Sequence, residues 1–242
     1  MSRNNNEAIG KRNIQIILQL VYKQGDATYS SALARNNQAK GETINSLFVS
    51  QGSGGLFTKD LLNEFETGDL RTTFSIKYAA ATSAYFITKF RDASAGASTL
   101  GYGGNDWIVM RYADIILNLA EVHLYLNDNT NAIKYLDMVR ARAQRPLYAT
   151  MMTDAAYAAK YPTLKLAILH ERRVELAFEH HRWHDLTRFF NATDLVTYFK
   201  SKNQADYDNS PLSNITTKDF YFPIPLAETK LNPEKMQQNQ GY

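Results

Sequence analysis

Glu171 and Glu175 are the residues in this 242-residue chain whose type and spacing most directly invite chemistry. At about 100° per residue, a helix running to about residue 179 places Leu164, Ala167, Ile168 and Phe178 on one face, with both carboxylates in its middle. Carboxylates on an apolar stripe are costly to bury unless they are paired and hydrogen-bonded. Two readings follow. As a catalytic pair they would act as acid and base in glycoside hydrolysis. As a structural pair they would join an internal ion network with Arg172, Arg140, Arg142 or Arg188, whose planar forks fit carboxylates bidentately. The density of arginines favours the second reading, since a proton donor needs a raised pKa and neighbouring guanidinium groups lower it.

Other constellations are less complete. His180 and His184 have the i, i+4 spacing of helical zinc ligands, but a helix end falls between them and no His-Glu-x-x-His occurs, so no metal site is expected. Gly101-x-Gly103 lacks the third glycine of a phosphate cradle, and neither Gly-Lys-Ser/Thr nor Gly-x-Ser-x-Gly appears. The expectation is a protein with no catalytic residues and no cofactor. Aromatic rings beside loops offer a different chemistry, because a ring face can pack against the C–H groups of a sugar. Tyr85, Tyr102 and Trp107 are the ligand-binding candidates. Trp107 directly precedes a core helix and has packing as its alternative role. Tyr102 lies in a flexible glycine-rich loop, where a ring without a core duty suggests binding.

The elements that must position these residues differ along the chain. Residues 14–22 (IQIILQLVY) read as a buried strand or a helix, since short apolar runs are ambiguous. Residues 51–55 and 93–106 are loops by composition, residues 59–67 a short helix, and residues 85–90 a strand. From Trp107 onward the pattern turns helical. Ile108, Tyr112, Ile115, Leu119, Val122 and Leu126 recur at spacings of three and four, giving one apolar face. Asn127-Asp128-Asn129 breaks that helix and caps the next, in which Ala132, Leu136, Val139 and Ala143 repeat the spacing until Pro146. These two helices form an antiparallel hairpin. After a loop, Pro162 opens a third helix, and residues 182–190 begin its partner. The proline-interrupted tail, residues 219–242, lies extended.

Composition removes whole classes of function. A net charge of +3 from 27 basic and 24 acidic residues leaves no concentrated basic stripe, so no nucleic-acid partner is expected. The absence of cysteine excludes disulfides, zinc ribbons and thiol chemistry. The polar N-terminus has no signal-peptide core. Residues 108–126, the most apolar long stretch, contain Arg111, Asp114, Glu121 and His123, too much charge for a membrane span.

Five segments, taken together, carry a family resemblance. Residues 61–71 (LLNEFETGDLR) resemble a helix ending in Asp-x-Arg. Residues 105–121 (NDWIVMRYADIILNLAE) resemble an Arg-Tyr-Ala-Asp helix closing on Ala-Glu. Residues 132–143 (AIKYLDMVRARA) and 168–186 (ILHERRVELAFEHHRWHDL) resemble a Val-Arg-x-Arg-Ala helix and a Glu-Arg-Arg-x-Glu-Leu-x-Phe-Glu signature. Residues 222–242 resemble a closing run with Phe-Pro-Ile-Pro and a terminal Gly-Tyr. In order and spacing these resemble the SusD/RagB family of outer-membrane nutrient-binding lipoproteins. His180 departs from that pattern by standing where the family has glycine, a position expected to need a left-handed backbone. Gln240 replaces a proline.

The resemblance implies a mainly α SusD-like fold, with TPR-like helical hairpins plus irregular loops and a few short strands. It implies an irregular insert region over residues 1–106. Residues 107–242 would be the hairpins and extended tail of the same fold unit, the N-terminal half of the family being outside the chain. It also implies non-catalytic capture of an oligo- or polysaccharide at the outer-membrane surface, for delivery to a SusC-like TonB-dependent transporter. Membrane association would run through an N-terminal lipid anchor absent from this chain. On that reading the motifs quoted above are scaffold. The alternatives are a transporter-associated interaction module without sugar binding, and a glycoside hydrolase using Glu171 and Glu175.

Overall fold

The computed structural model describes residues 15–38, 43–45, 48–49, 57–80, 83–92, 94, 96–97, 102–207 and 211–242. In chain order the elements begin with β1 (Ile16–Leu20), α1 (Leu33–Asn36), β2 (Thr43–Asn45), β3 (Phe48–Val49), α2 (Lys59–Leu62) and α3 (Leu70–Ser75). The hairpin strands β4 (Ile76–Ala79) and β5 (Ala84–Ile87) come next, then β6 (Trp107–Arg111). The helices α4 (Tyr112–Tyr125), α5 (Asn129–Arg142), α6 (Tyr148–Met151), α7 (Ala155–Lys160), α8 (Leu164–Glu175), α9 (Arg182–Phe189), α10 (Ala192–Lys200) and α11 (Leu226–Leu231) complete the chain. The fold is mainly α with a few short strands, as expected. Two compact units divide it, one from Met1–Phe57 and Leu61–His181, the other from Thr58–Asp60 and Arg182–Tyr242. Among the described residues no helix is long and apolar enough to cross a membrane. The predicted loop at 51–55 and part of that at 93–106 lie outside the described residues.

The core of the first unit is α4 and α5 packed against each other, with α8 packed on both. Each helix of the α4–α5 hairpin ends in the same device. Asn127 (φ 60°) follows α4 and Gln144 (φ 55°) follows α5, both in left-handed conformation. The Asp128 N–H donates to the His123 carbonyl and the Asn127 N–H to that of Leu124; Arg145 and Gln144 repeat this to Arg140 and Ala141. This six-to-one, five-to-two pair satisfies carbonyls that a helix end otherwise leaves without donors. Asp128 then caps α5 by accepting from the Asn131 N–H at 3.1 Å. Ala132, Leu136 and Val139 of α5 are buried as their spacing predicts.

The buried face of α4 is not the predicted one. Asp114, Ile116, Leu117, Ala120 and Glu121 are buried, whereas Tyr112, Val122 and Leu126 are exposed. The helix is apolar on more than one side, and packing against α5 and α8 selects the side with small Ala120. The structure also starts this helix later than expected. Residues 107–111 form β6, antiparallel to β1 with Leu20 opposite Trp107 and Leu18 opposite Met110. Pairing therefore settles Ile16–Leu20 of that run as strand, although not the buried strand expected. Ile17, Leu18, Leu20 and Val21 of this ribbon are exposed.

The Asp69-Leu70-Arg71 motif starts a helix where the sequence suggested that it ends one. Asp69 caps α3, accepting from the Arg71 N–H at 2.9 Å. The 146–162 connection is not a plain loop, since it contains α6 and α7. In the second unit α10 packs with α9 and with short 3-10 turns at Leu212–Asn214 and Thr217–Phe220. Tyr207 donates to Asp60 at 2.9 Å within this unit. The tail carries helix α11, and Gln238 pairs with both the N–H and the carbonyl of Ile224, at 2.7 Å each.

Candidate functional site

The predicted aromatic residues separate into different surroundings, all within the first unit. Tyr85 lies on β5, whose register sets it directly opposite Tyr78 on β4. Opposite residues of an antiparallel pair share a face, so the two rings meet, with centroids 5.0 Å apart. Tyr78 is 49% and Tyr85 43% exposed, while Ile76 at the base of the hairpin is buried. Phe57 extends the row, 6.4 Å from Tyr85 and 5.6 Å from Phe178. The sequence reading named Tyr85 but not its cross-strand neighbour Tyr78. The available signal was period-two placement of the two tyrosines on either side of a turn.

Trp107 behaves otherwise. It is half-buried on β6, stacked on Phe90 at 5.9 Å and against His180 at 5.0 Å. These two ring contacts give Trp107 a packing role. Tyr102 is half-buried, and its backbone is anchored: its N–H donates to Gly96, its carbonyl accepts from Gly25, and the next residue bridges Ser31. Gly103 is required there, because a Cβ would sit 2.8 Å from the Ser31 carbonyl oxygen. Among the described residues no ring contact joins Tyr85, Tyr102 and Trp107.

Glu171 and Glu175 lie in a buried ion network. Residues 167–175 of α8 are all buried, and Glu171 and Arg140 are 0% exposed. Glu171 accepts from Arg71 Nη1 at 2.6 Å and from Arg140 Nη1 at 2.9 Å. Glu175 accepts from Arg71 (3.0 Å), Arg111 (2.6 Å) and Arg142 (2.5 Å). Burial alone would raise the Glu175 pKa, but the Arg111, Arg142 and Arg71 charges outweigh it and hold it at about 2. A carboxyl group so placed does not donate a proton near neutrality. Arg140 and Arg142 were expected partners. Arg172 instead donates to Asp114 and Asn118, and Arg188 pairs with Asp185 in the second unit. Arg71 and Arg111 were not foreseen.

The C-terminal end of α8 is tied by two cations. Arg111 Nη2 and Lys89 Nζ both donate to the Glu175 carbonyl, and both also pair with Glu179. Beyond it Phe178 (φ 67°) and His180 (φ 63°) are left-handed, as expected for the position that departs from glycine. Glu66, His170 and Glu171 each place a polar side-chain atom within 4.8 Å of the others, the one such group of His and acid residues found among the described residues. Arg140 Nη1, 2.9 Å from both carboxylates, already supplies the positive charge there.

With this architecture established, the chain belongs to the SusD family, whose model matches residues 22–242. It is similar to SusD-like protein P25 of Formosa agariphila, 30% identical over 218 residues, covering 88% of this chain and 39% of that protein. It is similar in fold to a SusD superfamily protein from Parabacteroides distasonis (TM-score 0.64, 23% identity, 94% of this chain and 50% of that one). It is also similar to surface glycan-binding protein A from Bacteroides thetaiotaomicron, solved with laminarihexaose (TM-score 0.68, 20% identity, 98% and 54%). The chain thus spans about half the length, or less, of these relatives.

Proposed function

We propose that this chain is part of a non-catalytic glycan-binding protein at the outer-membrane surface, and that Tyr78 and Tyr85 form part of its sugar platform. The carrying observation is the exposed cross-strand ring pair, extended by Phe57. Ring faces carry partial negative charge and attract the slightly positive C–H groups of a pyranose, each good contact contributing about 1 kcal/mol. Weak, additive stacking of this kind suits capture and release. Family membership and a relative solved with laminarihexaose support a saccharide ligand. Delivery to a SusC-like transporter and anchoring by lipid belong to the same proposal. Calorimetric titration with a glycan panel that includes laminarihexaose tests it. Binding is expected, and Tyr78→Ala/Tyr85→Ala together should weaken it about tenfold or more. Unchanged affinity in the double variant removes the platform, and no heat with any glycan removes the reading.

The interaction reading has its own observation, the exposed apolar residues Ile17, Leu18 and Leu20 on β1 and Val21 just after it. It predicts co-purification with a TonB-dependent transporter and no response to sugars.

A further inference from the structure

Beyond any ligand, one buried side chain stands between two carboxylates. His170, in the middle of α8, places Nδ1 3.1 Å from Glu64 and Nε2 3.3 Å from Glu66. Both acids sit on the segment that leads into the Asp69 cap of α3. A neutral imidazole has one N–H and one lone pair. With a carboxylate at each nitrogen, the neutral ring would aim its lone pair at an anion. Only the imidazolium satisfies both contacts.

The surroundings hold those two acids in place. Glu64 also accepts from Tyr161 Oη (2.9 Å) and Arg173 Nη1 (3.1 Å), with Lys160 Nζ at 3.5 Å. Glu66 accepts from Arg140 and Arg145. Tyr161 stacks on the imidazole at 4.2 Å and Tyr157 meets it edge-on at 5.9 Å. Glu171, the next residue along α8, adds a third negative charge. These are the titratable groups facing His170 from α5, α7, α8 and the 64–69 segment. The tyrosine hydroxyls are raised by burial, and the acids are held low despite it. The ring is therefore the group in this cluster whose charge changes above its ordinary 6.5 while the two acids stay ionised.

We propose that His170 is a proton-operated latch: its imidazolium adds to the clasp on Glu64 and Glu66, and loss of the ring proton to solvent loosens the 64–69 segment on α8. Burial by itself would lower the ring's pKa. The hydrogen bonds to Glu64 and Glu66, together with the Glu64 and Glu171 charges, outweigh burial and raise it above the ordinary 6.5. The sign follows. The latch is fully closed below the ordinary value and opens as pH rises through the raised one.

The purified 242-residue chain tests this without any ligand. Its 5 histidines are followed by NMR between about pH 5 and pH 9, with His170 assigned by its contacts to the Tyr157 and Tyr161 rings. Two slowly exchanging ring N–H signals at neutral pH and titration above 6.5 are expected. Hydrogen exchange then reads the segment through the bonded amides of Glu64, Phe65, Asp69 and Arg71. Relative to α4 amides, their protection should fall by up to about tenfold per pH unit once the ring titrates, the slope set by one linked proton. His170→Gln should flatten that dependence. A ring that titrates at or below 6.5, or segment protection that tracks α4 throughout, overturns the proposal. If His170→Gln does not fold, the wild-type titration and exchange still decide it.

Discussion

The β4–β5 hairpin and helix α8 belong to one compact unit, yet they treat their notable side chains in opposite ways. On α8, Glu171 and Glu175 have the chemical reactivity and no access, because every oxygen is engaged by arginine. On the hairpin, Tyr78 and Tyr85 have access, and among the described residues their ring contacts are with each other and with Phe57. The difference teaches that residue type alone misleads about function. Charged groups here hold elements together, and the exposed rings are the ones proposed above for a ligand.

Glu171→Ala attacks the comparison at its strongest point. It leaves Arg71 Nη1 and Arg140 Nη1 buried without that acceptor, and about 3–5 kcal/mol of stability should be lost in urea unfolding. A loss under about 1 kcal/mol would mean the network is not structural. Acid should act in the same direction. Glu175 is lowered from 4.5 to about 2, so its contribution is complete above 4.5 and is lost as pH falls toward 2. Unfolding followed over that range should show up to about 3 kcal/mol disappearing. Gln144→Gly sharpens the picture with a smaller gain. Glycine adopts the left-handed φ of 55° without the steric penalty of a Cβ, and about 0.5–1 kcal/mol of stabilisation is expected in the same assay. Tyr85→Ala should change stability least, by under about 0.5 kcal/mol, since the ring is exposed. A larger loss would place Tyr85 on the side of α8.

Much of this was legible in the sequence, for physical reasons that differ by element. The α5 face and its Asp128 cap are local patterns, and they appear as read. Two glutamates in an apolar stripe announced a buried network, and Arg140 and Arg142 were natural partners. Arg71 and Arg111 were invisible because they lie 100 and 64 positions from the acids they meet, beyond any periodic signal. The strand at 107–111 was hidden because Ile108 and Tyr112 continue a helical spacing, and only pairing with β1 turns that stretch into a strand. The buried face of α4 was misread because the helix is apolar on several sides and burial depends on its neighbours. The Trp107 stack matches the packing role weighed as the alternative to binding, whereas the anchoring of Tyr102 depends on a bridge to Ser31 that no local pattern encodes.

The nine consecutive buried residues at 167–175 carry one more consequence. An ordinary amphipathic helix offers an outer side where substitutions cost little, so its sequence can drift while its shape persists. This helix has no such side. In a saturation mutagenesis library selected for folded protein, these positions should form an unbroken intolerant block, without the gaps every three or four residues that mark a surface helix. Variation compatible with folding must accumulate elsewhere, on exposed loops and hairpins such as the one bearing Tyr78 and Tyr85.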